Sequence, residues 1–310
     1  MSGSAHGADG GVVVGFVGLG NMGAVLAANL VARDFAVVET DLRGPDAATP
    51  GAAFVATVAD VARAADVMVW SVPDARASEA VAREVAAVAD RRVTHVVDTS
   101  TVGLEGARTT DGILTEAGVA FVDAAVSGGA AGARARTLAL MYAGPEAACA
   151  TVEPVLAGMT DRCLRVGERP GLAQVVKLAN NFLSATALAA TSEAVAFGVA
   201  AGLDAATMVR VLDASSGHNT ATSDKFPNHV IPGTYASGFT NSLMAKDLAL
   251  YAASVTAAGT PAEFGALTAG LWRRFADTEP GVDFTRIYPF VEGTGRTEPV
   301  VPDASGEDSE

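Results

Sequence analysis

A chain of 310 residues, half of them hydrophobic, is long enough to bury two cores of ordinary domain size and too apolar to stay unfolded. Its formal charge of −14, from 35 Asp and Glu against 21 Lys and Arg, argues against a nucleic-acid partner, although backbone dipoles and a single cation can still hold a small anion. Two cysteines, Cys149 and Cys163, exclude a disulfide scaffold, and neither they nor the four histidines have metal-ligand spacing, so no metal is expected.

The opening MSGSAHGADGG has no basic or apolar segment and reads as a flexible tail over 1–11 rather than a signal peptide. From residue 12, short β-branched runs alternate with Ala-rich stretches. VVVGFVG, AVVETD, VMVWSV, HVVDTS and VAFVDAAV are strands, with helices over 21–33, 57–64, 74–89 and 103–117 between them. Near-continuous apolar strands alternating with helices predict an α/β domain with a doubly wound parallel sheet of Rossmann type over 12–169. TLALMYAG, a helix near 145–157 and a short strand at DRCLRVG extend that sheet. After GERPG at 167–171 the strand signal stops and a helix of about thirty residues begins. With helices near 204–213, 240–258 and 261–276, separated by a loop rich in Gly, Pro, Ser, Thr and Asn, it forms an all-α domain over 170–295, joined to the first by the long helix. The apolar stretch around 182–201 is interrupted by Ser184, Ser192 and Glu193, so no membrane span is expected and the protein reads as cytoplasmic. Residues 296–310 are acidic and poor in apolar groups, which predicts a second flexible tail.

GFVGLGNMG at 15–23 places Gly18-x-Gly20-Asn21-Met22-Gly23 between the first strand and the first helix. Gly18 suits the tight turn, Gly20 lets backbone approach a pyrophosphate, and Gly23 lets helix and strand pack closely. Asp41 ends the second strand about twenty residues on, where an acidic group accepts hydrogen bonds from an adenosine ribose. NAD is therefore the expected cofactor. NADP stays open, because Arg43 could meet a 2′-phosphate.

Only three lysines occur, Lys177, Lys225 and Lys246, and the first lies inside the apolar segment AQVVKLANNFLS at 173–184. Helical spacing puts Gln174, Lys177, Asn181 and Ser184 on one face. By spacing alone, Lys177 could equally snorkel to solvent, pair with a carboxylate or line a site.

Taken together, GFVGLGNMG, Ser71-Val72-Pro73-Asp74, DTST at 98–101, DAAVSGGAAGA at 123–133, GLAQVVKLANN at 171–181, Lys246-Asp247 and DFTRIY at 283–288 resemble the β-hydroxyacid dehydrogenases, over most of the chain. The resemblance implies that nicotinamide and substrate lie between a Rossmann domain and a helical one. It makes Lys177 the catalytic lysine, donating a proton in reduction and accepting one in oxidation, with Asn181 one turn later holding the lysine or the substrate oxygen. Ser127, Gly128 and Gly129 become the clamp for a small carboxylate substrate, with Thr101 beside it. Val72, Pro73, Ser100, Thr101 and Lys246 fall on the cofactor side, and Asp247 orients its neighbours. Ser100 and Thr101 are also placed to cap the helix starting near Gly103.

The implied activity is NAD(P)-dependent interconversion of a small β-hydroxyacid with its semialdehyde or ketoacid, in a homodimer or homotetramer. Two other readings remain: an NADPH-dependent enzyme like the imine reductases, which generally replace the lysine, and a non-catalytic dinucleotide-sensing module. 6-Phosphogluconate dehydrogenase usually has a histidine where this chain has Asn180.

Overall fold

In the computed structural model the described residues are 11–294. The tail expected at 296–310, and all but Gly11 of the one expected at 1–11, lie outside them. The β-branched runs form β1 (Val13–Val17), β2 (Ala36–Thr40), β3 (Ala53–Phe54), β4 (Val67–Trp70), β5 (His95–Asp98) and β6 (Ala120–Asp123), all parallel and ordered β3-β2-β1-β4-β5-β6. Between them run α1 (Gly23–Val31), α2 (Val58–Ala64), α3 (Ala75–Ala87) and α4 (Gly103–Glu116). β3 has only two residues, too few to leave a periodic signal in the sequence.

The run VAFVDAAV, expected as one strand, is two. β6 ends at Asp123 and β7 is Val126–Ser127, because the chain changes partners between them: Ala124 N still donates to Asp98 O of β5 (2.8 Å), whereas Ala125 O accepts from Met141 N (2.9 Å). A six-residue helix, α5 (Gly129–Arg134), follows, for which the sequence predicts no element. Next come β8 (Ala139–Ala143), antiparallel to β6 and β7, then α6 (Glu146–Met159) and β9 (Arg162–Gly167), parallel to β8.

Alternate residues of each strand feed two cores. Val14, Phe16, Val69, Val97 and Val122 pack with Leu26 and Leu30 of α1 and Val152 and Leu156 of α6. Met68, Trp70, Val96 and Phe121 meet Val61 of α2, Val85 of α3 and Leu114 of α4 on the opposite face. This period-two alternation is what a sheet covered on both faces requires.

Beyond Gly171 the described chain is helical: α7 (Leu172–Ala200), α8 (Ala205–Asp213), a π-helical segment Ala221–Val230, α9 (Asn241–Ala257), α10 (Glu263–Thr278), a 3-10 turn Phe284–Arg286 and α11 (Ile287–Thr294). The π-helical segment contains Pro227 and lies where the sequence predicts only a loop. Two compact units result, one running to Phe182 and including Lys246–Ala266, the other comprising Leu183–Ala245 and Leu267 onward. The second has an aromatic core in which Trp272 packs against Phe275 and Phe284, at 5.9 and 6.0 Å between ring centroids, and Trp272 Nε1 donates to Ala185 O.

By length and composition alone α7 is long and apolar enough to cross a membrane, a test that core helices of soluble proteins also pass. Gln174, Asn180 and Asn181 of its first three turns are hydrogen-bonded within the first unit, as described below.

Leu156 is fully buried on α6, so Leu156→Ala should lower unfolding stability by about 2–5 kcal/mol, read from the urea midpoint.

Candidate active site

The turn after β1 can be built only with glycine at two of its three positions. Gly18 has φ +86°, and a Cβ there would sit 2.4 Å from Ser71 O. A Cβ at Gly23 would sit 1.9 Å from Gly18 O, so this glycine lets α1 start directly against the turn. At Gly20, by contrast, a Cβ would meet no protein atom within 4 Å. The space that glycine leaves there is open to a ligand. Asn21 is exposed, and no side chain caps α1 at Met22, so the helix end is available to a phosphate. The turn therefore fits a dinucleotide on its own geometry.

Asp41 faces the same turn. Its Oδ2 accepts from Leu19 N (2.6 Å), and its Oδ1 accepts from Arg43 N (2.9 Å) and Arg43 Nε (2.8 Å), while Arg43 Nη2 donates to Leu19 O (2.6 Å). Partial burial pushes the Asp41 carboxyl up, but the donors from Arg43 and Leu19 outweigh it and hold the pKa below the usual value. Asp41 is thus an anion fixed beside the glycine turn, and Arg43 is folded back onto it.

The segments following β4 and β5 are tied to each other. Ser100 Oγ accepts from Val72 N (2.9 Å), and Lys246 Nζ donates to Pro73 O (3.2 Å) and Thr101 O (2.9 Å). Below them the buried Asp98 accepts from Ser78 Oγ (2.6 Å) and Ser100 N (2.8 Å); burial raises its pKa against these donors. α9 is held in place by Leu250, which closes on Gly103, and by Tyr251, stacked on Phe182 at 4.4 Å between centroids. Its Lys246 and Asp247 are thereby brought to the site.

Neither Ser100 nor Thr101 caps α4. The amides of Val102 and Gly103 donate instead to Gln174 Oε1 of α7, at 2.9 and 3.0 Å. Gln174 Nε2 donates to Ser100 O (3.1 Å) and Asp123 Oδ1 (2.7 Å), and Asp123 Oδ2 takes Gly171 N (3.0 Å) and Gln174 N (3.1 Å) at the start of α7. Burial pushes the Asp123 carboxyl up to about 7, with the Gln174 and Gly171 donors opposing and the Asp98 charge adding to the rise.

Lys177 lies one turn further along the same face. It is 8% exposed and makes no hydrogen bond among the described residues. Burial lowers its pKa from the usual lysine value; the Asp247 carboxylate opposes this, and the Lys246 charge adds to it. Asn181 Nδ2 donates to Asp247 Oδ2 (2.7 Å), and the other carboxylate oxygen, Oδ1, lies 3.3 Å from Lys246 Nζ as an ion pair without hydrogen-bond geometry. Asn180 Nδ2 donates to Ser127 Oγ (3.2 Å) and Asn181 Oδ1 (3.2 Å), joining α7 to the Ser127-Gly128-Gly129 turn. Gly128 and Gly129 have φ of +132° and +65°, a backbone that side-chain-bearing residues rarely adopt.

Asn181, Ser127, Thr101 and Lys246 thus share one hydrogen-bonded and ion-paired neighbourhood of the first unit, and Lys177 feels the charges of Asp247 and Lys246 there. Ser184, the last residue of the expected stripe, belongs to the second unit. Sequence reasoning assigned no role to Gln174, Asp123 or Asn180, although each lies inside a quoted motif. The signal it passed over was a buried amide and a buried carboxylate in otherwise apolar segments.

The chain matches the family described as the NAD binding domain of 6-phosphogluconate dehydrogenase over residues 13–167, and that described as NAD-binding of NADP-dependent 3-hydroxyisobutyrate dehydrogenase over 171–291. It is 33% identical to the 3-hydroxyisobutyrate dehydrogenase of Pseudomonas aeruginosa, across 90% of this chain and 98% of that protein. The solved structure of the Mycobacterium tuberculosis 3-hydroxyisobutyrate dehydrogenase with L-serine superposes with a TM-score of 0.84 at 31% identity, covering 92% of this chain and 99% of that one. An imine reductase of Streptomyces aurantiacus superposes with a TM-score of 0.61 at 22% identity, over 90% and 99% of the two chains, a likeness of fold alone.

Gly20→Ala should leave the thermal unfolding midpoint unchanged while raising the NAD dissociation constant about tenfold, because only the ligand's space is filled. Gly23→Ala should lower the unfolding midpoint as well. Calorimetric titration and thermal melts of the two variants separate these outcomes.

Proposed function

The chain belongs to the β-hydroxyacid dehydrogenase family, and from that premise we propose that Lys177 is the acid and base of its reaction. The enzyme is an NAD(P)-dependent oxidoreductase acting on the CH–OH group of a small hydroxyacid. What supports the lysine's role is its burial without a hydrogen-bond partner among the described residues, next to a carboxylate and a second lysine.

In reduction the Lys177 ammonium donates its proton to the substrate carbonyl oxygen; in oxidation the neutral amine accepts the hydroxyl proton. When bound, the nicotinamide supplies or takes up the hydride at the carbon bearing that oxygen. Burial brings the neutral amine closer to working pH, and Asp247 keeps the ammonium available for the reverse direction. Asn181 uses one N–H on Asp247 and has another for the substrate oxygen. The Ser127 hydroxyl accepts from Asn180, so its own proton is free for a substrate carboxylate, with the amides of Gly128 and Gly129 beside it.

Gly18, Gly20, Asn21, Met22 and Gly23 would hold the pyrophosphate, and Val72, Pro73, Ser100, Thr101 and Lys246 would flank the nicotinamide end. Asp41 would accept from the adenosine ribose. NAD is favoured over NADP because Arg43 is paired with Asp41 instead of free for a 2′-phosphate. The substrate is a three- or four-carbon hydroxyacid of the 3-hydroxyisobutyrate or serine class, in keeping with the relatives above. The domain division is placed at 169/170, with 12–169 binding the dinucleotide and 170–295 forming the helical domain, a placement that the two family matches support. The reading includes a cytoplasmic homodimer or homotetramer, supported by free Cys149 and Cys163 and by Leu183 and Phe197 of α7 at 64% and 75% exposure.

A screen for NAD reduction with 3-hydroxyisobutyrate, L-serine, glycerate and 3-hydroxypropionate tests the substrate class, and a clear preference for NADPH would remove the ribose role of Asp41. Lys177→Ala should lower kcat on the order of 10²- to 10⁴-fold while NAD binding stays measurable; near wild-type kcat would end the mechanism. Ser127→Ala should raise KM about tenfold with little change in kcat. Because oxidation needs the neutral amine, its rate should rise with pH through a midpoint below that of a free lysine.

A further inference from the structure

We propose that Gln174 is a positioning residue, whose side chain holds the turn after β5, with Ser100 and Thr101, in fixed register with the Lys177 turn of α7. A primary amide has two N–H groups and two lone pairs. Gln174 is fully buried and uses all four: Nε2 on Ser100 O and Asp123 Oδ1, Oε1 on Val102 N and Gly103 N. The partners come from two strand ends and the first turn of α4, between 51 and 74 residues away in the chain.

α4 could have been capped by a serine or threonine of its own, at no loss to that helix. Here the cap comes from α7, so α7 cannot tilt or slide without uncovering buried amides of α4. Asp123 secures the same end of α7 by accepting both Gly171 N and Gln174 N. Lys177 follows Gln174 at the i+3 position, on the same face of the helix. The amide thus fixes the distance between the reacting amine and the turn expected to flank the nicotinamide. Shape alone cannot replace it: glutamate would lose both donors and set a carboxylate against Asp123, and asparagine is one methylene too short to span the same partners.

The catalytic consequence rests on the assignment of Lys177 as acid and base, so the test has one readout that needs turnover and one that does not. The first is the pH profile of kcat for hydroxyacid oxidation. The second is the pH dependence of Lys177 modification by trinitrobenzenesulfonate, followed on its peptide by mass spectrometry. Asp247 and Lys246 of α9, which face Lys177, and Asp123 of β6 and Asp98 of β5, near Gln174, are the same in every variant. Gln174→Met should lower kcat about 100-fold, more than it changes KM, as expected for a reacting group displaced by ~1 Å. It should also move both pH midpoints up toward that of a free lysine, because a loosened turn admits water to the ammonium.

Leu156→Ala, remote from the site, should lose stability and leave both midpoints where they are. If Gln174→Met does not fold, Gln174→Asn gives the same reading. Wild-type midpoints in the folded Gln174 variants would overturn the positioning role, even with reduced kcat. A shifted modification midpoint together with undiminished kcat in Lys177→Ala would uphold the positioning role and discard the catalytic one.

Discussion

Polar groups carried into an apolar interior on a helix must find partners there, and the first three turns of α7 carry three, on Gln174, Lys177 and Asn181. A buried neutral donor or acceptor left unpaired costs about 1–3 kcal/mol, and an unpaired charge costs several times more. The first unit meets this demand for two of the three. Gln174 is fully bonded and Asn181 is held by Asp247 and Asn180. Lys177, with the most costly group to bury, is left without a hydrogen bond among the described residues, offset only by the Asp247 charge. An arrangement that satisfies the inexpensive groups and leaves the expensive one free gains nothing for stability. It is what a proton-transfer group needs, because a lysine locked in hydrogen bonds would hold its proton too firmly to give it up.

The topology explains why these pieces converge. In a parallel sheet all the strands end on the same side, and between β1 and β4 the connections turn from one direction along the sheet to the other. At that reversal the segments leaving the two strands diverge and leave room for a ligand. The glycine turn leaves β1 there, and the Ser71–Asp74 segment leaves β4, with Ser71 N still bonded to Val17 O (3.0 Å). On the other side, the partner change after β6 ends the parallel run and sends the chain into the Ser127 turn. The acidic end of β6 is therefore free to receive α7. One carboxylate, Asp123, closes the parallel sheet and opens the long helix.

Much of this could be read in the sequence, for physical reasons. Alternating apolar strands and Ala-rich helices leave a periodic signal, so β1, β2, β4, β5, β6 and β8 are visible without coordinates, as are α1 to α4. The tasks of Gly18 and Gly23 follow from sterics alone, and both glycines stand where those tasks require. What could not be read is what depends on partners distant in the chain. Gln174 appears as one more polar residue on a helix face until Val102 and Gly103 are seen to lack a local cap. β3 and α5 are too short to be periodic. The π-helical segment around Pro227 looks like a loop because its composition is that of a loop. Ser100 and Thr101 show how a local rule yields to a tertiary one: both are good capping residues, three and two residues before the start of α4, and neither caps it.

The same distinction bears on Asp41 and Arg43. Read along the chain they send opposite messages, an acid for a ribose and a base for a phosphate. In three dimensions they act as one group, with the guanidinium bonded both to the carboxylate and to Leu19 O in the turn. A 2′-phosphate would have to draw Arg43 from both acceptors and would then lie beside an uncompensated Asp41, itself held ionised by the donors around it. A ribose hydroxyl asks for less: it need displace only the longest of the Asp41 contacts, Arg43 Nη2 to Oδ2 at 3.4 Å, while Arg43 keeps its bonds to Oδ1 and to Leu19 O. On the proposed assignment the pair would disfavour phosphate through the carboxylate that phosphate would expose, and the arginine that first suggested NADP supports the proposed preference for NAD.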